Sequence, residues 1–323
     1  MATGPTHKIA ILDDYQQVAL GMADWSALQS KADISVFHDH LADPAAVVAR
    51  LKPFDIVCVM RERTPLPRAI LSQLPNLKLI CSTAPRNASI DVAAAKELGI
   101  TVCGTGYTSH GAAEVTWALI LGLVRNIPAE AGSLRSGGWQ IAVGGDLDKK
   151  TIGIVGLGNL GRRVGLVAKA FGMDVIAWSQ NLTAEKAEAA GAKLVAKDEL
   201  FRAADIVTIH LVLSPRSRGI VAAHEIGLMK PTAYLVNTSR GPLIDETALI
   251  DALKHRRIAG AALDVFDTEP LPATHPFHTL DNLLATPHIG FVTRETYAIF
   301  YRDTVENIVA WMSGKSIRVT QPA

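Results

Sequence analysis

The segment Thr151-Ile-Gly-Ile-Val-Gly156-Leu-Gly158-Asn159-Leu160-Gly161 decides how this chain is read. A strand-like run enters a glycine-rich turn, and a helical pattern starts directly after it. That order is the physical recipe for seating a dinucleotide pyrophosphate on a helix N-terminus. Gly156 permits the tight turn, Gly158 lets the backbone approach the phosphates, and Gly161 lets the helix pack close to the sheet. Asn159 and Leu160 open the helix, where backbone N–H groups have no partner of their own. Glycines in an ordinary turn would show the same letters. The strand before and the helix after them are what select the dinucleotide reading.

On both sides of this segment the chain alternates short apolar runs with amphipathic stretches. Strands are expected at Lys8–Leu12, Ile34–Phe37, Ile56–Met60, Leu77–Cys81 and Ile100–Cys103. Helices are expected after Asp43-Pro44 and Ile90-Asp91. Ala112–Val124 is an apolar helical run with little charge, so it has to be buried, under a sheet or against another subunit. Gly132–Asp148 has little pattern and reads as an extended link anchored by Trp139. Beyond Thr151, strands are expected at Met173–Trp178, Ile206–Leu211, Tyr234–Asn237, Gly260–Val265 and Leu283–Thr286. Helices are expected over Asn159–Ala170, Ala184–Ala190, Glu246–Lys254 and Arg294–Met312, the last returning to cover the first domain. The rhythm predicts an α/β chain with parallel sheets covered by helices.

Composition narrows the function classes. Thirty-two basic against 31 acidic residues leave a net charge of +1, so nothing calls for nucleic acid or an anionic membrane. The stretch Met1–His7 has no apolar signal core, and no apolar run approaches the length of a membrane span. The three cysteines, Cys58, Cys81 and Cys103, sit in or beside apolar runs, and their odd number points to reduced buried thiols in the cytoplasm. No metal-binding spacing occurs.

The chemistry-bearing residues stand at strand ends, where open α/β sheets bind ligands. An acid is expected about twenty residues beyond the glycine turn, to hold the adenosine ribose. Ser179 stands there instead, with Gln180 and Asn181 after it. Losing the carboxylate removes repulsion against a 2′-phosphate, yet no arginine follows to bind one. NAD and NADP therefore both stay open. Arg162 and Arg163 read equally as contributors of positive charge and as solvated surface. Arg240 follows a buried strand ending in Asn-Thr-Ser, and arginine suits bidentate carboxylate recognition. Glu269, taken alone, is as much a surface acid as a catalytic one. His288, in Thr286-Pro-His-Ile-Gly290, is suited to move a proton near neutral pH. His210 ends a buried strand and either joins the cofactor site or holds the following backbone.

These residues carry a resemblance that covers nearly the whole chain. The glycine motif, Asp205-Ile-Val-Thr-Ile-His-Leu, Met229-Lys-Pro through Asn237-Thr-Ser-Arg-Gly-Pro-Leu-Ile-Asp245, Ala262-Leu-Asp-Val-Phe through Glu269-Pro270, and Thr286-Pro-His-Ile-Gly290 resemble the D-isomer-specific 2-hydroxyacid dehydrogenases. That family includes D-3-phosphoglycerate dehydrogenase and glyoxylate and hydroxypyruvate reductases. The resemblance implies two Rossmann-like or flavodoxin-like lobes with a cleft between them. The substrate-binding lobe would comprise residues 1–104 and 288–323, the dinucleotide lobe 105–287. It implies hydride transfer between NAD or NADP and a small 2-hydroxy or 2-keto acid. Arg240 would hold the substrate carboxylate and polarise the carbonyl, His288 would be the acid/base, and Glu269 its partner. Asp264, Thr238 and Ser239 would line the nicotinamide side, with His210 and Gly290 in the same cofactor set. A homodimer through the Ala112–Val124 face is implied too. Relatives of this fold also serve as transcriptional corepressors, and the Arg240–Glu269–His288 set argues against that alternative.

The chain departs from the family pattern at Ser82-Thr-Ala84-Pro85-Arg86-Asn87, where a glycine-rich turn usually presents N–H groups to the substrate carboxylate. Pro85 has no N–H to give. Arg86 either supplies a side-chain cation for the acid or turns outward. Val212 replaces a common proline. The chain stops at Ala323, which argues against an appended regulatory domain.

Overall fold

The computed structural model describes residues 7–322. The expectation that the N-terminus lacks a signal core falls mostly on residues outside that range. The chain packs as two units. One holds the residues up to Thr108 together with those from Thr293 onward; the other is Ser109–Val292. Relative to the expected 104/105 and 287/288 boundaries, residues 105–108 go with the first unit and 288–292 with the second. His288 thus shares a unit with Arg240 and Glu269.

The first unit is built from β1 (His7–Ile11), β2 (Ala32–Val36), α1 (Pro44–Leu51), β3 (Ile56–Val59), α2 (Arg68–Leu71), β4 (Leu79–Ser82), α3 (Val92–Glu97) and β5 (Thr101–Cys103). Its strands are all parallel, in the order β2-β1-β3-β4-β5, which is the flavodoxin arrangement. β3 and β4 are buried at every position. Parallel strands covered on both faces need such continuous apolar sequence. α1 starts where the Asp43 side chain accepts the Ala46 N–H, with Pro44 in the first turn.

The second unit runs through α4 (His110–Val124), α5 (Ile127–Arg135), β6 (Thr151–Val155), α6 (Asn159–Ala170), β7 (Asp174–Trp178), α7 (Ala184–Ala189), β8 (Lys193–Leu194), α8 (Lys197–Ala203), β9 (Ile206–Ile209), α9 (Ala223–Leu228), β10 (Tyr234–Asn237), α10 (Glu246–Lys254), β11 (Gly260–Leu263) and β12 (Leu283–Ala285). Its parallel sheet has the order β12-β11-β10-β9-β6-β7-β8. Strand order reverses between β6 and β9, the place where such sheets bind ligands. Successive residues feed opposite cores. Val155, Val207 and Leu235 join Phe201 and Leu253 on one side. Ile154, Ile206 and Val236 join Ile120 and Val164 on the other.

α11 (Arg294–Met312) is the last helix and packs on β4 of the first unit, as expected of a returning helix. After it, Val319 pairs antiparallel with Cys103 at the sheet edge.

One expectation needs correcting, and another resolves to the first of its two alternatives, burial under the sheet. Residues 132–135 are not extended link but the end of α5, which begins after Asn126 in a left-handed conformation (φ 53°) with a proline in its first turn. The apolar face of Ala112–Val124 is largely spent inside its own unit. Trp117, Leu119, Ile120 and Val124 are buried, and α4 lies against α6 and β10–β12. The exposed apolar residues lie just beyond it, at Ile127, Leu134, Trp139, Ile141 and Val143, the last 98% exposed.

Candidate active site

β6 ends at Val155, and Gly156 turns the chain with φ 105°, a conformation that side-chain-bearing residues rarely adopt. A Cβ there would press on the His210 carbonyl. A Cβ on Gly161 would run into the Gly156 carbonyl, so α6 lies as close to the turn as a helix can. At Gly158 no atom lies within 4 Å of where a Cβ would sit. That residue caps α6 with no side-chain hydrogen bond and no acid in the first turn. Open space in front of uncapped N–H donors fits a pyrophosphate, the anion a helix N-terminus favours.

Ser179 and Gln180 follow β7; Ser179 is half-buried and Gln180 exposed, and no carboxylate stands beside them in the segment Ser179–Thr183. Lys197 lies 5.6 Å from the Trp178 ring centre and pairs with Glu225 at 2.9 Å.

Across the strand-order reversal, His210 ends β9. Its backbone N–H donates to Val155, and its Nε2 shares a hydrogen with Thr208 Oγ1 at 3.0 Å. Nδ1 is buried without a partner. Burial pushes the imidazole down to about 3, so it is neutral at physiological pH.

The arginine and the acid–base pair come from the next strand ends. Asn237, fully buried, bends the chain after β10. Its Oδ1 accepts the Ser239 N–H and its Nδ2 donates to the Arg240 carbonyl. Ser239 Oγ donates to Leu211, and Thr238 shares a hydrogen with Thr116 of α4 at 2.7 Å. Arg240 is thereby presented half-buried, its Nη1 donating to the Ser239 carbonyl. Gly241 must be glycine, because a Cβ would overlap the backbone of Phe266 and Asp267. This contact seats the Arg240 turn on the loop that carries Glu269.

Glu269 is held at one oxygen by the Phe266 N–H, at 2.9 Å. Its other oxygen meets His288 Nδ1 at 2.6 Å. The pairing engages Nδ1 and leaves Nε2 for proton exchange. His288 adopts φ 53°, a left-handed backbone that costs a non-glycine residue on the order of 1–3 kcal/mol. Asp264, 1% exposed at the end of β11, accepts hydrogen bonds from Thr286, Ile289 and Gly290 on either side of it. Burial raises the Asp264 carboxyl above its usual range.

In the first unit Arg86 is exposed and Ala84 holds φ 69°, a glycine-favouring conformation. Arg61 was not singled out from the sequence. It follows β3 by two residues at φ 53°, with its N–H on Thr83 Oγ1 and its carbonyl on Asn87 Nδ2. β3 is apolar throughout and runs through Met60 into this arginine, whereas β10 reaches Arg240 through Asn-Thr-Ser. Among the described residues no cluster could hold a metal ion, and no helix is long and apolar enough to cross a membrane.

A glycine turn at the order reversal, with an arginine and a carboxylate-paired histidine at neighbouring strand ends, defines a dinucleotide-dependent class of α/β protein. The chain belongs to the D-isomer-specific 2-hydroxyacid dehydrogenase family: residues 117–290 match the model for that family's NAD-binding domain. Glyoxylate reductase of Aeropyrum pernix is 40% identical over 256 residues, 76% of each chain. D-3-phosphoglycerate dehydrogenase of Methanocaldococcus jannaschii is 41% identical over 77% of this chain, which spans 48% of that protein's length. The crystal structure of a phosphoglycerate oxidoreductase from Vibrio cholerae O395 superposes with a TM-score of 0.91, at 37% identity, over 96% of this chain and 100% of that one.

His210 makes the site testable through stability. Unfolded, it takes up a proton near its ordinary value of 6.5; folded, it stays neutral down to about 3. Between those values the unfolded state binds the extra proton, so stability falls as pH falls, by up to about 1.4 kcal/mol per pH unit. His210→Gln should remove one proton's worth of that slope in denaturant unfolding between pH 6.5 and 4. An unchanged slope would mean that the folded histidine is already charged.

Proposed function

We propose that this protein is an NAD(P)H-dependent reductase of small 2-keto acids of the glyoxylate and hydroxypyruvate kind, with 3-phosphoglycerate-like acids as the other substrate class. The carrying observation is the 2.6 Å pair between Glu269 and His288 in the unit that also bears the glycine turn and Arg240. Gly156, Gly158, Asn159, Leu160 and Gly161 would hold the pyrophosphate. Ser179 and Gln180 would face the adenosine ribose, and His210, Thr238, Ser239, Asp264 and Gly290 would line the remainder. The bound dinucleotide supplies the hydride.

The protein's own part is electrostatic and acid–base. Arg240 binds the acid's carboxylate and stabilises negative charge growing on the reacting oxygen. His288, protonated, gives its Nε2 proton to that oxygen. The Glu269 carboxylate accepts from Nδ1 and fixes the ring, because its other oxygen is tied to Phe266. Arg86 adds a cation for the acid. The same set favours catalysis over a corepressor, which needs no proton donor.

His288→Gln should leave dinucleotide affinity intact while lowering turnover of glyoxylate or hydroxypyruvate by about 10²–10⁴-fold. Steady-state rates with both acids check this. Turnover within about threefold of the parent would sink the acid–base role, and tight dinucleotide binding with no turnover of any 2-keto acid by the parent would favour a sensor.

Both NADH and NADPH are expected to serve, since Ser179 neither repels a 2′-phosphate nor binds the ribose as an acid would. Ser179→Asp should move the ratio of kcat/KM values toward NADH by about tenfold or more. No movement would place the ribose site elsewhere.

A homodimer is proposed through the arm of Leu134, Trp139, Ile141 and Val143, and a cytoplasmic location on its three buried free cysteines. Val143→Glu, almost fully exposed here, should shift sedimentation from dimer to monomer. A dimer of unchanged stability would put the interface on another face.

A further inference from the structure

The turn after β4 is pinned before and after its exposed tip, Pro85–Arg86. Thr83 Oγ1 accepts the Arg61 N–H at 2.7 Å, and Asn87 Nδ2 donates to the Arg61 carbonyl at 2.6 Å. Ala84, 1% exposed and at φ 69°, is tied twice to Thr105. Its N–H donates to Thr105 Oγ1 at 2.7 Å, and its carbonyl accepts the Thr105 N–H at 3.2 Å. The Thr105 hydroxyl has a fixed sense, because its own hydrogen goes to the Gly106 carbonyl at 2.9 Å. Thr105 is buried in a segment that is held from behind. Gly104 donates its N–H to the Arg318 carbonyl at 3.0 Å and accepts Asn307 Nδ2 at 2.8 Å; the Gly106 N–H donates to Asp303 Oδ2 at 2.8 Å. Asp303 and Asn307 are buried on α11. A Cβ on Gly104 would stand 3.0 Å from the Ala84 carbonyl oxygen and 3.3 Å from the Pro85 Cα, so the two backbones are in contact.

We propose that Thr105 is a positioning residue for the acid: its hydroxyl holds Ala84 in the left-handed conformation and so sets the Pro85–Arg86 tip. Alanine disfavours that conformation and keeps it only where its surroundings impose it. The same bond decides what the tip offers a ligand. The Ala84 N–H is taken by Thr105 and Pro85 has none, so the donors left at the tip are those of Arg86. Thr105 acts through Ala84. This rests on the reading above that Arg86 serves the acid.

The test reads kcat and KM with glyoxylate, and the Kd for NADPH from its fluorescence, in full-length variants. Thr105→Val keeps the side chain's shape and deletes the hydroxyl. Its KM should rise about tenfold or more, the scale of one buried donor left unpaired. Its kcat and Kd should stay within about threefold, the split of an interaction shared by ground and transition states. Thr105→Ser should behave like the parent. Ala84→Gly added to Thr105→Val should bring KM most of the way back, since glycine adopts the left-handed conformation unaided. A general loss of stability would not be reversed in that way. Thr105→Cys, a weaker acceptor, should show the same split in smaller measure and serves if Thr105→Val does not fold. Unchanged KM in Thr105→Val, an equal rise in Thr105→Ser, or no recovery with Ala84→Gly would each overturn the proposal, as would a parallel loss of kcat and NADPH affinity. Failure of the underlying reading looks different: Arg86→Ala would then leave KM unchanged, whatever Thr105→Val does.

Discussion

Residue 161 has no side chain, and the whole ligand edge of the second unit depends on that. Any Cβ there would collide with the Gly156 carbonyl. With hydrogen in its place, α6 settles directly onto the turn leaving β6, and its first N–H groups face open space at Gly158. The same turn brings Gly156 against the backbone of His210, so the ends of β6 and β9 meet where strand order reverses. From there the logic runs outward strand by strand. His210, Arg240, Asp264 and His288 each follow the C-terminal end of β9, β10, β11 or β12, in spatial order across one sheet. Parallel strands make this arrangement automatic, because all their C-terminal ends lie on one edge.

A second regularity is strain at these edges. His288 in the second unit, and Asp13, Arg61 and Ala84 in the first, are non-glycine residues with φ between 53° and 69°. Each follows a parallel strand by a few residues. Each is also over-determined by neighbours. Arg61 is held through its N–H and carbonyl by Thr83 and Asn87, Ala84 through its N–H by Thr105, and Asp13 through its carboxylate by Thr64 and His40. Strained backbone persists only where the surroundings insist on it, and it gathers where a fold presents functional groups.

Much of this was legible from residues alone, for reasons that separate cleanly. α11 was readable end to end: Thr293 caps it, and its pattern is unbroken to Met312. The β6–α6 turn was readable because glycine is required by geometry there, not by propensity. α5 was lost because Pro128, Gly132 and the run after Arg135 look like loop, and a helix with no buried residue leaves no apolar stripe to detect. α2, α8 and α9 carry no start signal: Pro67, Ala196 and Ala222 precede them, where α3 and α7 have the capping side chains Asp91 and Thr183. The pairing of Glu269 with His288 could not come from spacing, since 19 residues separate them. It exists because β11 and β12 are neighbours in the sheet and their following loops leave the same edge.

Glu269 shows why the pair is more than proximity. A carboxylate free to rotate would stabilise an imidazolium in many orientations and fix none. Here one oxygen is tied to the Phe266 N–H, so only the other is left for His288. Phe266 is in turn packed against Phe277 and backed by the Gly241 turn that presents Arg240. The arginine and the acid–base pair therefore share one support, and displacing the loop at Phe266 and Asp267 moves both. Residues that act through a common support lose function together, so single substitutions among Arg240, Glu269 and Gly241 are not expected to add in free energy.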